Sequence, residues 1–411
     1  FQAEDGIRDV ERSRGLGDVY KRQREMRHLV LNLIRKKGSV SRIEIAKRTG
    51  IRPGTLQGII EELLREKIIR EKGLGDSKGG RRPILLELNP DTRWIVALHV
   101  DEVWIKAGLV NLKGEVLSQI KEDNSIHQSQ KEFIECIMDS IEGLLSPKDK
   151  AKVMGIGIGI RGLVDREKGI GIYCSYYDWW RNIPIKSLLE NRFKIPVYVE
   201  NDTIAATLGE KWFGAGRGVK NFLYLNLGET IGMGIVIEGH LYYGAGGSAG
   251  ELGHTIIKEG GPLCICGNRG CLEAIASGMA IKKEIQKLLN EGVKSIIADE
   301  LERGKRITLR MITEAVLRGD KVASKLVCDT GVHLGVGISN VVNLLNPELI
   351  ILGGTLVGAR KILTETIVNS IRTHCLPKPS SEVRVEVSKL GDNAGVLGAS
   401  TLITRKFFEV S

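Results

Sequence analysis

Residues 249–273 read AGELGHTIIKEGGPLCICGNRGCLE and bring one histidine and three cysteines together within a short length of chain. One imidazole and three thiolates at this spacing can close around a single tetrahedral zinc ion. The predicted ligands are His254, Cys264, Cys266 and Cys271. Gly267 and Gly270 allow the tight turn that points the cysteines of this knuckle, residues 264–271, inward. Because protein atoms fill all four positions, the predicted zinc is structural; the alternative is a group of buried free thiols beside an incidental histidine.

Two acidic residues flank these ligands. Glu251 precedes His254 by three residues, and Glu273 follows Cys271 by two. A rigid metal loop holds neighbouring polar side chains in fixed positions, which is what recognition of a small polar ligand requires. The stretch therefore predicts a ligand site beside the metal.

Length and cysteine content bound the class of protein. A chain of 411 residues is long enough for two or three domains with cores of their own. Seven cysteines, four of them scattered outside the knuckle, favour a reducing compartment, so we expect a cytoplasmic protein. No run of about 18 apolar residues occurs, and the first residues lack the basic and then apolar order of a secretory signal. We therefore expect neither membrane insertion nor export.

The positive charge is concentrated near the front of the chain. Residues 21–90 hold 18 lysines and arginines against 8 acidic residues, whereas residues 91–411 hold 39 against 37. A basic front on a nearly neutral remainder is typical of a nucleic-acid-binding domain attached to a domain with another task.

Residues 1–23 show no period and no helix-capping pattern, and we interpret them as a non-native or disordered tail. Residues 24–75 carry the pattern of three helices. The first is predicted to end at Gly38, the second to begin at Ser41 with Glu44 in the capping-box position, and the third to span residues 55–67. The apolar residues at helical spacing are Met26, Leu29, Val30, Leu33, Ile34, Ile43, Ile45, Ala46, Leu56, Ile59, Ile60, Leu63 and Leu64. The tight turn between the second and third helices predicts a helix-turn-helix.

Two strand-like segments, IIREKG and RRPILLEL, follow the third helix, and residues 76–92 are assigned to a wing and linker. With them, the segment resembles the winged helix-turn-helix of bacterial repressors. The predicted DNA contacts are Arg52, Thr55 and Gln57 in the major groove, and Arg81 and Arg82 in the minor groove. The alternatives are a three-helix protein-interaction module and, for the two arginines, a solvated linker. We call residues 24–92 the head and the rest, from residue 93 onward, the body.

The body alternates apolar strands with amphipathic helices, and the pattern occurs twice. WIVALHV, IKAGLVNL and EVLSQI are three strands before a helix and the buried strand VMGIGIGI; FLYLNL, GMGIVIEG and HLYYG open a second series that leads to ELIILGG. This repetition predicts an internally duplicated α/β fold with a cleft between two lobes. The first lobe is assigned to residues 93–200 and the second to residues 201–389, and residues from about 390 to 411 can return to the first lobe.

Several motifs in this order carry a family resemblance. They are GGRRP between head and body, VENDTIAATLGE, AGELGH, the CxCGxxGCLE pattern and ELIILGG. The chain from residue 24 onward resembles the ROK family (repressors, open reading frames and kinases), specifically its regulator branch of the xylose or N-acetylglucosamine repressor type, which has an N-terminal winged helix-turn-helix. The resemblance implies an actin-like, hexokinase-like body whose two lobes are each built on a ribonuclease H-like sheet.

The resemblance also implies a sugar site. In ROK sugar kinases the aspartate of the END motif is the general base for the sugar hydroxyl, and Asp202 stands at that position here, after Asn201. Glu251, His254 and Glu273 match sugar-contacting positions of the family. His254 can then bind the metal through one ring nitrogen and a sugar hydroxyl through the other.

The phosphate-binding motifs of the family's kinases are altered in this chain. HVDEVWIKAGLV keeps Asp101 but lacks the paired glycines of the DxGGT turn and has Glu102 and Trp104 beside it, and LGETIGMG has Glu229 where the phosphate lies. Both changes place a carboxylate near the position of an anion, which predicts a body without kinase activity. In GIRGLVD, Arg161 stands where the family commonly has proline, and it can bind an anionic ligand group.

The sequence thus predicts a sugar-responsive transcriptional regulator, most simply a repressor, that binds operator DNA as a homodimer or homotetramer. A rival is an active ATP-dependent sugar kinase with an accessory DNA-binding head. A third possibility is a body that binds a protein of the phosphotransferase system, or another protein, in place of sugar. The sequence leaves the effector, the operator and the direction of the response open.

Overall fold

The computed structural model describes residues 21–76, 82–101, 103–124, 127–174 and 177–408. Residues 1–20 of the predicted tail lie outside the described residues. Residues 21–23, which the sequence analysis assigned to the tail, belong instead to the first helix, because the helical pattern extends without a break to residue 37.

Three helices and a small antiparallel sheet form the head. The elements are α1 (residues 21–37), β1 (Val40–Ser41), α2 (Arg42–Thr49), α3 (Pro53–Arg65), β2 (Ile69–Leu74) and β3 (Ile84–Leu88). Gly38 ends α1 with a φ of 78°, and the Ser41 hydroxyl accepts a hydrogen bond from the Glu44 backbone N–H at 3.2 Å, as the capping-box pattern predicts. The three strands pair in the order β1-β3-β2.

Three details of the head differ from the sequence prediction. Leu29 is 54% exposed whereas Leu31 is 1% exposed, so the buried face of α1 is rotated toward Leu31, and Ile43 of α2, predicted to be buried, is 76% exposed. The third helix begins at Pro53, before the predicted start, because the fixed φ of proline suits the first helical turn, where no backbone N–H is needed. The short strand β1 has no counterpart in the prediction.

The first lobe of the body is built on a five-stranded sheet, and it extends past the predicted boundary at residue 200, because Asn201 pairs with Ile160 in that sheet and the helix of residues 202–213 packs on the strand of residues 153–160. Its elements are β4 (Trp94–Val100), β5 (Trp104–Asn111), β6 (Val116–Asp123), α4 (Gln130–Leu144), β7 (Val153–Ile160), β8 (Leu163–Asp165), β9 (Ile170–Tyr173), β10 (Arg181–Ile183), α5 (Ile185–Phe193), β11 (Val197–Asn201) and α6 (Asp202–Phe213). The strand order is β11-β7-β4-β5-β6, and only β5 runs antiparallel to its neighbours. The strands β8, β9 and β10 form a separate small antiparallel sheet.

The second lobe is built on another five-stranded sheet. Its elements are β12 (Phe222–Leu227), β13 (Ile231–Ile237), β14 (His240–Leu241), α7 (Leu272–Ala276), α8 (Gly278–Asn290), α9 (Ile296–Glu302), α10 (Leu309–Leu317), α11 (Lys321–Leu345), β15 (Leu349–Gly353), α12 (Arg360–His374), α13 (Pro377–Glu382) and β16 (Arg384–Val387). The strand order is β14-β13-β12-β15-β16. Here β13 is the strand that runs antiparallel to both neighbours.

The two large sheets share one topology. In each, the first strand lies at the centre, flanked on one side by a meander of two antiparallel strands and on the other by two parallel strands that follow helices. This is the duplicated α/β arrangement that the repeated sequence pattern predicts. A last helix, α14 (Ala394–Phe408), returns to the first lobe and packs on β4 and β7. Among the described residues, no helix is long and apolar enough to cross a membrane.

Candidate functional site

The end of β11 and the first turn of α6 form one wall of the candidate site. Asn201 is the N-cap of α6, and its side-chain oxygen accepts hydrogen bonds from the backbone N–H groups of Thr203 and Ile204 at 3.0 and 3.2 Å. Its amide nitrogen donates to the Gly162 carbonyl at 3.1 Å. Because capping occupies the Asn201 oxygen, only its amide N–H is left to contact a ligand.

Asp202, the first residue of α6, is 3% exposed. Its Oδ2 accepts no hydrogen bond from any described residue, although Arg161 Nε lies 3.7 Å away. A buried carboxylate oxygen without a hydrogen bond is unfavourable unless a ligand or solvent supplies a donor. Asp202 is therefore a suitable acceptor for a ligand hydroxyl, with the Arg161 guanidinium beside it.

The opposite wall comes from residues that flank the metal ligands. Glu273 is 5% exposed, and its Oε2 accepts a hydrogen bond from the Ile231 backbone N–H at 3.1 Å. Glu251 lies 3.9 Å from Nε2 of His254. Partial burial raises the pKa of Glu251; His254 lowers that pKa, and the carboxylates of Glu273 and Asp202 raise it again. Glu273 binds the backbone of Ile231, and a Cβ added to the adjacent Gly232 would lie 2.3 Å from Thr203 Oγ1, so the metal-flanking segment and the first turn of α6 lie close together.

The four predicted metal ligands lie together. Their ligand atoms are all within 4.8 Å of one another, with 3.6 Å between Cys264 Sγ and His254 Nδ1 and 3.7 Å between the sulfurs of Cys266 and Cys271. A tetrahedral ion with ordinary metal–sulfur and metal–nitrogen bonds requires separations of roughly 3.5 to 3.8 Å between ligands. Burial raises the pKa of the Cys264 and Cys271 thiols, so a cation is needed to keep them deprotonated. The cluster could hold a metal ion.

The two nitrogens of His254 face different neighbours. Nδ1 points to the sulfurs, and Nε2 points to the Glu251 carboxylate in the cleft. The turn of the knuckle, which brings the sulfurs to Nδ1, depends on Gly270. This glycine has a φ of 77°, and a Cβ added to it would lie 1.7 Å from the Lys258 carbonyl oxygen. His254 therefore joins the metal cluster to the candidate ligand site.

The turn between β4 and β5 is closed by Asp101. Its Oδ1 accepts hydrogen bonds from the backbone N–H groups of Val103 and Trp104 at 2.8 and 2.7 Å. In this arrangement the carboxylate occupies two N–H groups that a phosphate-binding turn would offer to a ligand. Glu102, which the sequence analysis also placed at this turn, lies outside the described residues.

Glu229 occupies the turn between β12 and β13. It is 7% exposed, and Lys282 Nζ donates a hydrogen bond to its Oε1 at 2.7 Å. The Lys282 ammonium group is therefore paired with the Glu229 carboxylate within the protein. The sequence analysis missed Lys282, since nothing in the sequence links positions 53 residues apart.

The predicted DNA-contacting residues lie at the surface of the head. Arg52, Thr55 and Gln57 are exposed at the start of α3, where the Gln57 amide donates to Glu61 Oε1 at 2.8 Å. Arg82 is exposed before β3, and Arg81 lies outside the described residues. The start of α3 therefore offers exposed polar side chains to a ligand.

A second group that the sequence analysis missed joins the two lobes. Tyr243, from the segment after β14, donates a hydrogen bond to Glu200 Oε2 at 3.2 Å, and the Arg166 guanidinium lies 3.7 Å above the Tyr243 ring. Trp180 is 1% exposed and lies against Phe133 with ring centroids 4.7 Å apart.

Comparison with known proteins identifies the family. The ROK family profile matches residues 97–406, about three quarters of the chain. The chain belongs to the ROK family. It is 34% identical over 377 residues to the xylose repressor of Caldicellulosiruptor bescii, covering 91% of this chain and 94% of that protein. It is also 34% identical to a glucokinase of Halalkalibacterium halodurans, which covers only 76% of this chain.

A solved structure supports the same relationship. The crystal structure of a ROK family transcriptional regulator, described as a homologue of the Escherichia coli Mlc protein, superposes with a TM-score of 0.80 at 30% identity. It covers 94% of this chain, and this chain covers 97% of it. The regulators therefore match both head and body, whereas the glucokinase matches a length close to that of the body alone.

Proposed function

We propose that this ROK protein is a sugar-responsive transcriptional repressor. The observation that carries the proposal is the match of 91% of the chain to a xylose repressor, together with the basic front of the chain, while the glucokinase relative leaves about a quarter of the chain unmatched. In this account the head binds operator DNA and the body binds a sugar without phosphorylating it. Each ligand then changes the affinity for the other by the same factor.

The arrangement of the head supports a winged helix-turn-helix. The helices α2 and α3 are joined by a tight turn that begins at Gly50, with a φ of 68°, and the strands β2 and β3 form a hairpin beside them. Arg52, Thr55 and Gln57 share the exposed start of α3, the position from which a recognition helix reads the major groove. Arg81 and Arg82 at the wing are proposed to enter the minor groove.

One head of this size reads a short half-site, so a second copy is needed for a full operator. We therefore propose that the protein acts as a homodimer or homotetramer on a pseudo-palindromic site. A closed symmetric assembly presents two heads in the fixed relation that such a site requires.

The cleft supports sugar binding in the body. Asp202, Glu251 and Glu273 offer carboxylate oxygens, and His254 and Asn201 add nitrogen donors, so that several hydroxyl groups of a sugar can be bound at once. The name of the C. bescii relative makes xylose the first sugar to test. Glucose and N-acetylglucosamine are the comparison sugars.

We propose zinc as the resident metal of the His254, Cys264, Cys266 and Cys271 cluster. Three thiolates and one imidazole favour zinc over hard cations, and four protein ligands leave no position for a catalytic water. The ion would be structural, and its role is to fix the knuckle and the ring of His254.

Replacing Asp202 by asparagine is expected to weaken xylose binding at least about tenfold, because a hydrogen bond to a charged group contributes more than one to a neutral amide. Isothermal calorimetry of the full chain measures the effect. Asp149, a half-buried carboxylate on the first lobe that accepts a hydrogen bond from Ser146 Oγ, provides the control as Asp149→Asn, which should bind xylose like the wild type. If Asp202→Asn bound xylose as tightly as Asp149→Asn, Asp202 would not be part of the sugar site.

An active sugar kinase is the second candidate, favoured by the glucokinase relative and by the buried Asp202. The Asp101 turn and the Glu229–Lys282 pair oppose it, because both occupy groups that would bind nucleotide phosphates. Coupled ATP turnover with xylose, glucose and N-acetylglucosamine should stay at background. ATP turnover that is abolished by Asp202→Asn would show that the protein is a kinase.

A protein effector in place of sugar is a separate alternative. Calorimetry that detects no sugar binding, together with intact DNA binding, would favour it.

A further inference from the structure

One helix connects the candidate sugar site with the head. The helix α6 starts at Asp202 in the cleft and ends at Trp212 and Phe213, which lie in the same apolar core as Val30 and Leu31 of α1. At 1.5 Å per residue, its 12 residues span about 18 Å. One end of this helix is therefore in the candidate sugar site and the other packs against the head, the two parts whose communication the proposed function requires.

The contact at the head end is specific. The guanidinium of Arg35, in the last turn of α1, lies 4.0 Å from the centroid of the Trp212 ring, which is 4% exposed. The ring of Phe408, at the end of α14, lies 6.2 Å from that of Trp212 and 5.6 Å from the Arg35 guanidinium. A cation held over a buried aromatic face is sensitive to small displacements of either partner.

The helices α6 and α14 touch backbone to backbone. A Cβ added to Gly398 would lie 2.3 Å from the Ala205 carbonyl oxygen, and one added to Gly209 would lie 2.9 Å from the Gly398 nitrogen. Such close packing leaves no room for one helix to shift against the other. Both helices end beside α1, where the Asn32 amide donates to the Phe408 carbonyl oxygen. They therefore form one unit that carries the head.

The other side of α6 faces the second lobe. A Cβ added to Gly232 of β13 would lie 2.3 Å from Thr203 Oγ1, and one added to Gly234 would lie 1.8 Å from Thr207 Oγ1. A change in the angle between the lobes must therefore move β13 against α6. Glu273, which binds the Ile231 backbone N–H at the start of β13, ties the same strand to the candidate sugar site.

We infer that the α6–α14 pair transmits the state of the cleft to the head, and that the Arg35–Trp212 contact is the joint through which it does so. The inference rests on the proposed function and adds the residues that couple the two sites. Arg35 is a positioning residue here: it touches neither the candidate sugar site nor the exposed start of α3. Its substitution should leave each binding site intact and remove the communication between them.

The first test measures coupling in the full chain. In the wild type, saturating xylose should change DNA affinity by at least about fivefold, a typical coupling between sites. In Arg35→Gln the change should fall below about twofold, while xylose affinity stays within about twofold of the wild type; Arg35→Lys should restore part of the coupling. Lys121→Gln is the matched control, since Lys121 lies 3.7 Å above the Trp104 ring, toward the end of the β5–β6 hairpin opposite Leu112, the hairpin residue that packs in the core of the head. Wild-type coupling in Arg35→Gln would overturn the inference.

A second test needs neither sugar nor DNA. Asp202→Asn should change amide hydrogen exchange at residues 28–37 of α1 in the wild-type background and leave it unchanged in the Arg35→Gln background. If none of xylose, glucose and N-acetylglucosamine changes wild-type DNA affinity, the proposed function fails, and this exchange cycle alone decides the inference. An effect of Asp202→Asn that is absent from α1, or present equally in both backgrounds, would overturn it.

Discussion

Replacing Cys264 by serine is expected to remove the metal from the full chain and to weaken xylose binding by about 10- to 100-fold, the usual effect of loosening a metal-supported site. Cys264 Sγ lies 3.6 Å from His254 Nδ1, so the loss of the ion frees the ring whose other nitrogen faces Glu251. Zinc analysis and xylose calorimetry measure the two effects. DNA binding in the absence of sugar should persist, because among the described residues the apolar core of the head includes no residue of the knuckle.

Cys375→Ser is the control for this variant. Cys375 lies at the end of α12, where its thiol donates to the Ser339 carbonyl at 3.6 Å, a bond that serine can replace. This variant should keep its zinc and its xylose affinity. Zinc loss in Cys264→Ser without any change in xylose affinity would break the proposed link between the metal and the sugar site.

Replacing Arg52 by alanine is expected to lower affinity for a specific DNA site by about 10- to 100-fold, since a base contact contributes about 1–3 kcal/mol. Arg52 is the exposed N-cap of α3, and its side chain does not cap the helix. Its removal should therefore leave the head folded, and it should not affect zinc content or xylose binding. Fluorescence anisotropy with a labelled DNA fragment measures the affinity.

The control for Arg52 is an exposed arginine of the body. Arg192 pairs with Glu142 at 2.7 Å on the surface of the first lobe, and Arg192→Ala should bind DNA like the wild type. A loss in Arg52→Ala that is equal for all DNA sequences and reduces the salt dependence would make Arg52 a phosphate contact. Unchanged affinity would exclude the start of α3 from the DNA interface.

Local patterns in the sequence predicted the parts of the structure that depend on neighbouring residues. Gly38 and the Ser41–Glu44 pair fixed the ends of the first two helices, because capping acts over three or four residues. The repeated strand pattern predicted the duplicated sheets. The spacing from His254 to Cys271 predicted the cluster, since a short glycine-containing loop allows few other arrangements.

Contacts between distant segments could not be predicted in this way. Leu29 and Leu31 are both apolar and lie within one turn of α1, so the local pattern cannot tell which of them is buried. The packing of α1 on the body decides this, and it buries Leu31. The Arg35–Trp212 contact and the Glu229–Lys282 pair join residues that no local pattern relates. Asp101 occupies a family position, but its role in closing a turn became visible only from its hydrogen bonds.

The most direct test of the central claim is the linkage between sugar and DNA in the wild-type chain. DNA selected by the protein from a random pool supplies the specific site, and its affinity is measured at fixed moderate salt with and without saturating xylose, glucose or N-acetylglucosamine. The account predicts that one of these sugars changes DNA affinity by at least about fivefold, and that bound DNA changes affinity for that sugar by the same factor. Absence of specific DNA retention, or DNA affinity that no sugar changes, would contradict it.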